Sequence, residues 1–141
     1  MSKNGPIIIV EDDPDDHEII REAFKELGVS NELKFFFNGQ EALDYLRSTS
    51  DNPFIVLCDI NMPLINGLQL RSVIDLSPSL KKKAIPFIFF STTAAEREVS
   101  LAYDLTVQGY FQKASDFQHL TRQLELILLY WGECKHPNSF H

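Results

Sequence analysis

The chain has 141 residues, 44% of them hydrophobic and 23% charged, with a formal net charge of −7. That length predicts one domain, able to bury about two-thirds of its unfolded surface without disulfides or structural metal. The composition excludes a disordered tail, a collagen-like chain and a disulfide scaffold, and the acidity argues against nucleic acid as the main partner.

Short apolar runs alternate with amphipathic stretches along the chain. Ile7–Val10 is a β-branched run that predicts the first strand. Residues 11–18 follow as EDDPDDHE and hold six of the twenty acids; the other fourteen nearly balance thirteen bases. The acidity is therefore local. Ile19, Ile20, Ala23, Phe24 and Leu27 recur at helical spacing, and Gly28 supplies a stop. Leu33–Phe37 predicts a second strand, and Asn38 caps a helix carrying Ala42, Leu43 and Leu46. Phe54–Cys58 predicts a third strand ending at Asp59, with a helix over Gly67–Leu76. Phe87–Phe90 predicts a fourth strand and Ala94–Tyr103 a fourth helix. Gly109–Gln112 is a short fifth strand. Phe117–Trp131 is the strongest helix, with Phe117, Leu120, Leu124, Ile127, Leu128 and Trp131 on its core stripe. Residues 132–141 read as a tail after a domain spanning 1–131. Lys81–Lys83 reads as a solvated charge run in a loop, and His17, His119, His136 and His141 as surface residues.

This is a strand–helix unit repeated five times. The runs at 7–10, 54–58 and 87–90 are apolar at every position, as strands buried on both faces are. An α/β fold with a parallel sheet and helices on both sides follows. Ligands in such folds bind beyond the carboxyl ends of the strands. At those ends stand Glu11, Asp12 and Asp13 after the first strand, Asp59 after the third, Ser91, Thr92 and Thr93 after the fourth, and Lys113 after the fifth. The second strand ends in plain Asn38–Gly39. Carboxylates at this density repel one another unless a cation sits between them. Magnesium takes one or two carboxylates and shares its other positions with water and phosphate oxygens. A further carboxylate can serve as nucleophile, and a lysine and a hydroxyl can bind phosphoryl oxygens, so the set reads as a phosphoryl-transfer site.

The stretches IIIVEDD, CDINMPLINGLQL, FFSTT and GYFQKA together resemble the receiver domain of two-component response regulators, over about residues 6–131. VEDDPDD, DLTVQGYFQKA and the late Trp131 look most like small single-domain regulators that partner phytochrome-type histidine kinases. The resemblance implies a flavodoxin-like fold with strand order 2-1-3-4-5. It implies that Asp12 binds magnesium directly, Glu11 through water, and Asn61 through its backbone carbonyl. Asp59 matches the phosphoacceptor and also faces the metal. Gly67 matches the glycine opening the third helix, Ser91 the switching hydroxyl, Tyr110 the aromatic switch and Lys113 the family lysine. Asp13 is an extra acid one place later.

Three positions depart from the family pattern: Thr92 replaces a small alanine, Ser91 a threonine, and Ala114 the proline that follows the lysine in a cis peptide. A cis Lys113–Ala114 bond is nonetheless expected, to bring the ammonium to Asp59. The implied function is a stand-alone, cytoplasmic phosphoacceptor switch, not an enzyme, loaded by a sensor histidine kinase and read by a downstream protein through contact. A degenerate docking module and a small aspartyl-phosphate phosphohydrolase are the alternatives. A flavin carrier is disfavoured because EDDPDD would repel a flavin phosphate. Only four consecutive apolar residues precede the first acids, too few for a signal peptide, and no run nears the ~18 residues a membrane span needs. Cys58 and Cys134 match no metal or redox spacing, and Cys58 is expected in the core. Leu126, Leu129 and Tyr130 fall outside the core stripe of the last helix. They suggest a homodimer or partner face on the fourth helix, fifth strand and fifth helix.

Overall fold

A computed structural model describes residues 2–135; the expectations placed on His136, His141 and most of the tail lie outside the described residues. After a 3-10 turn at Ser2–Asn4, the elements run β1 (Ile7–Val10), α1 (Pro14–Glu26), β2 (Leu33–Phe36), α2 (Gly39–Ser48), β3 (Ile55–Cys58), α3 (Gly67–Leu76), α4 (Pro78–Lys82), β4 (Phe87–Ser91), α5 (Glu96–Asp104), β5 (Gly109–Gln112) and α6 (Phe117–Glu133). The sheet is parallel throughout, in the order β2-β1-β3-β4-β5. The doubly wound fold expected from the sequence is therefore present.

One short helix was not expected. Ser77 caps α4 through its side chain, and Pro78 sits at the first position, where its missing N–H costs nothing. Two of the three lysines expected in a loop end this helix, and Lys83, just beyond it, donates Nζ to the Leu46 carbonyl at 2.9 Å. The fourth and fifth helices expected from the sequence are thus α5 and α6.

The strands are apolar at every position because both faces are covered. Ile8, Val10, Val56, Cys58, Phe87 and Phe89 pack towards α2, α3 and α5. Ile7, Ile9, Ile55, Leu57, Ile88 and Phe90 pack towards α1 and α6. The alternation is the two-residue period of a strand, applied to two cores at once. On α6, Leu120, Leu124 and Ile127 are buried, while Leu128 and Trp131 are only partly so. Phe117, expected on the core stripe, is 40% exposed, and Ile19 on α1 is 41% exposed. The reason is a cleft of about 500 Å³ between the N-terminal turns of α1 and α6, which both side chains line.

Local chemistry sets the helix starts. Asp13 accepts from the Asp15 amide at 2.9 Å, with Pro14 following. Asn66 and Gln69 form a reciprocal capping box on α3. Gly67 is required by close approach: an added Cβ would overlap the Asp59 carbonyl oxygen and stand 2.8 Å from the Phe89 ring and 2.9 Å from the Ile60 Cα. Its amide donates to the Ile60 carbonyl at 2.8 Å. The α3 terminus is thereby pressed against the backbone that carries Asp59.

Candidate functional site

The sheet register assembles the site. Val10 pairs with Cys58, so the next residues on neighbouring strands, Glu11 and Asp59, emerge side by side. Ser91 pairs with Gln112 and closes β4, and the Lys113 amide donates to the Ser91 carbonyl at 2.7 Å. Four chain segments far apart in sequence thus end in one crevice.

Glu11 is 2% exposed and Asp59 8% exposed, whereas Asp12 is open to solvent. One carboxylate oxygen from each of the three lies within 4.8 Å of the others. An all-oxygen set with two acids buried and one open suits a hard divalent cation that keeps water ligands. Asp13 does not join it; its side chain caps α1, and its amide donates to Glu11 Oε2 at 3.0 Å. Asn61 lies two residues past Asp59 at an exposed position in the β3–α3 loop.

Asp59 Oδ1 accepts from the Ile60 amide at 2.7 Å and from Ser91 Oγ at 2.6 Å. Ser91 is fully buried. Lys113 Nζ is ion-paired with Glu11 Oε1, lies 3.2 Å from Asp16 Oδ2, and stands 3.9 Å from Asp59 Oδ2. Burial pushes the Glu11 carboxyl up to about 8, outweighing the opposing pull of Lys113. Burial works to lower the Lys113 pKa, but the hydrogen bond and charge of Glu11, helped by Asp59 and Asp16, leave it above the ordinary value. A divalent cation on the same oxygens would reverse the penalty on ionised Glu11.

Tyr110 is half-buried against Phe89, with ring centroids 5.9 Å apart, and its hydroxyl donates to the Thr93 carbonyl at 2.8 Å. It is thereby tied to the loop that begins with Ser91. Thr92, in the position of the family alanine, is exposed, and its carbonyl accepts from Gln112 Nε2 at 3.2 Å.

The expected cis Lys113–Ala114 bond is a correction: among the described residues no peptide bond is cis. The lysine's four-carbon stem reaches the crevice from a trans backbone. Alanine also differs from proline in keeping an N–H, and that donor is satisfied. Gln123, buried on α6, accepts from the Ala114 amide at 3.0 Å and donates to the Gln112 carbonyl at 2.8 Å. One side chain thus holds the backbone on both sides of Lys113.

Two residues at the site lie outside the expected set. Asp16, one of the six acids in the 11–18 run, is a Lys113 partner. His17, read as a surface residue, is 4% exposed. Its place in a run of acids hid it, because that run is solvated on one side only.

A family model described as the response regulator receiver domain matches residues 7–125. The chain belongs to this family. Among curated proteins, this receiver is 33% identical over 129 residues to the probable methanogenesis regulatory protein FilR2 of Methanothrix harundinacea, covering 89% of the chain and 82% of the relative. It is 28% identical over 132 residues to the response regulator Rcp1 of Synechocystis, covering 90% and 88%. Among solved structures, the phosphorylated cyanobacterial phytochrome response regulator RcpA superposes with a TM-score of 0.84 at 30% identity, covering 94% of this chain and 97% of that one. The Mn(2+)-bound form of Rcp1 superposes with a TM-score of 0.80 at 27% identity, covering 93% and 96%. The chain is a two-component response regulator receiver domain, and the phytochrome response regulators are among the proteins it resembles. Such domains bind a divalent metal and act as signalling modules rather than as enzymes at large.

Proposed function

We propose that this receiver accepts a phosphoryl group from a histidine kinase onto Asp59 with Mg2+ bound, and signals by changing its contacts with other proteins. The observation that carries this reading is the convergence of Glu11, Asp12, Asp59, Ser91 and Lys113 in one crevice. A docking module would need none of these groups to meet.

In the step itself, the Asp59 carboxylate attacks the phosphorus of a phosphohistidine. The P–N bond breaks, the imidazole leaves with the bond pair and takes up a proton, and an acyl phosphate forms on Asp59. Glu11, Asp12, Asp59 and the Asn61 carbonyl would hold the cation, which supplies positive charge against the phosphoryl oxygens. Lys113 and Ser91 supply the remaining donors, as positioned charge is most of what phosphoryl transfer asks of a protein. Attack by water on the phosphorus later regenerates the carboxylate and inorganic phosphate. The open cleft lined by Asp16, Ile19, Lys113 and Phe117 adjoins the crevice and offers apolar walls for the donor protein. Similarity to bacteriophytochrome response regulators supports a phytochrome-type kinase as that donor. The receiver unit is proposed to span residues 1–131, with α6 running two residues further to Glu133, in a cytoplasmic protein. Among the described residues no helix is long and apolar enough to cross a membrane.

Metal titration tests the ligand assignment. Asp12→Ala is expected to abolish most Mg2+ binding, and Asp13→Ala to leave the affinity of wild type with a less stable α1, since its side chain is spent on the cap. The reverse pattern would move the acidic pair by one residue.

The output surface is proposed on α5, β5 and α6. Leu101 and Tyr103 on α5 and Leu126, Leu129 and Tyr130 on α6 are 40–64% exposed. Tyr110 lies on the strand between them. Light scattering of wild type and Leu129→Glu, each with and without beryllofluoride, is expected to show roughly doubled mass only for wild type with the phosphoryl analogue. Four identical monomer masses would eliminate self-association and leave a heterologous partner.

A further inference from the structure

His17 lies on the second turn of α1, facing the end of β1. Its Nε2 is 2.6 Å from the Glu11 backbone oxygen. A carbonyl can only accept, so Nε2 carries the hydrogen and the ring is the donor. Phe35 and Phe37 hold the ring, with centroids 4.9 and 4.5 Å away at interplanar angles of 38° and 39°. The Glu11 amide is already engaged with the Phe36 carbonyl at 2.9 Å. Both backbone polar groups of Glu11 are thus pinned from outside the crevice, one by β2 and one by α1.

The peptide plane that contains the Glu11 carbonyl also contains the Asp12 nitrogen. Fixing that plane fixes where the Asp12 Cα sits and the N–Cα axis about which its side chain is carried. Loss of the donor would leave a buried carbonyl without this partner, and the plane would turn to find another. The second strand, whose end carries no acid or hydroxyl, contributes to the site through Phe35 and through Phe37, the residue just past its end.

We propose that His17 is a positioning residue for the acidic pair: by donating to the Glu11 carbonyl it sets the geometry in which Glu11 and Asp12 meet a divalent cation. The inference rests on the metal reading above. Ligand-supporting hydrogen bonds of this kind are worth about 10–100-fold in metal affinity.

The test is Mn2+ affinity, read from the electron paramagnetic resonance signal of free ion, on folded protein well below its melting temperature. His17→Leu keeps apolar contact with both phenylalanines and removes the donor; about tenfold weaker binding is expected. His17→Gln restores a side-chain N–H at similar reach and is expected to recover most of the affinity. Leu46→Ala is the stability control: it opens a cavity in α2 away from the crevice and is expected to lower the melting temperature with Mn2+ affinity unchanged. Wild-type affinity in His17→Leu overturns the proposal, as does equal weakening in His17→Gln or in Leu46→Ala. If His17→Leu does not fold, His17→Asn, with a donor too short to reach, takes its place with the same expectation. Failure of wild type itself to bind Mn2+ would instead overturn the metal reading.

Discussion

Incubated with acetyl phosphate and Mg2+, the protein is expected to gain the mass of one phosphoryl group, and Asp59→Asn to gain none. The loss is expected to be complete, because no other carboxylate shares the position of Asp59. Glu11 is ion-paired with Lys113, Asp12 is solvent-facing, and Asp16 sits on α1 at the far side of the lysine. Asp59 alone has an oxygen held by both the Ile60 amide and Ser91, which fixes the carboxylate plane before the reaction starts. Asparagine keeps the shape and the Oδ1 contacts but is a far weaker nucleophile. The protein should therefore remain folded, with an unaltered far-ultraviolet spectrum. A mass gain that persists in Asp59→Asn and maps to a serine or histidine would remove Asp59 from the reaction.

Lys113→Ala should separate chemistry from metal binding. Phosphoryl uptake is expected to fall by about 10²–10³-fold, the usual cost of deleting one positioned donor at a site of developing charge. Mg2+ binding should survive, because Asp12 and Asp59 stay in place and the ammonium no longer competes with the cation for Glu11. The metal-free protein should also lose stability as the pH rises through about 8, where the buried Glu11 carboxylate ionises without its partner. Rapid-quench kinetics at saturating Mg2+, with a metal titration and a thermal melt, read all three effects. Unchanged uptake with Mg2+ binding retained would confine Lys113 to charge balance.

The architecture was legible because its signals are periodic. Runs that are apolar at every position belong to a sheet covered on both faces, and the strand ends then list the crevice residues in order. The strand and helix bounds follow the pattern to within a few residues, with Gly67–Leu76 and Gly109–Gln112 found as expected. What the pattern missed is local or conformational. The five-residue α4 is too short for any period, and only its Ser-Pro start marks it. Ile19 and Phe117 sit on helical stripes yet line an open cleft, because a stripe gives the angle around a helix and says nothing about how neighbouring helices splay. His17 reads as a surface residue because its neighbours in sequence are charged, while its ring contacts come from Phe35 on β2 and Phe37 just beyond it. The Lys113–Ala114 bond was expected by analogy with a proline that this chain lacks, and Gln123, ten residues along on α6, carries no motif that would have shown the alternative.

Gln123 has a thermodynamic consequence. The helix that exposes Leu126, Leu129 and Tyr130 is tied through this side chain to the peptide groups on either side of Lys113. On the function proposed above, a protein bound to the outer face of α6 and a phosphoryl group on Asp59 would act on one mechanical element, and their free energies would be coupled. Coupling of that kind is reciprocal. A protein that binds α6 tenfold more tightly after phosphorylation must, by the same factor, make the acyl phosphate more favourable while it is bound, a bias of about 1.4 kcal/mol. A downstream reader of that kind would then also be a determinant of how much receiver is loaded, and the phosphorylated fraction would depend on the concentration of that reader as well as on the kinase.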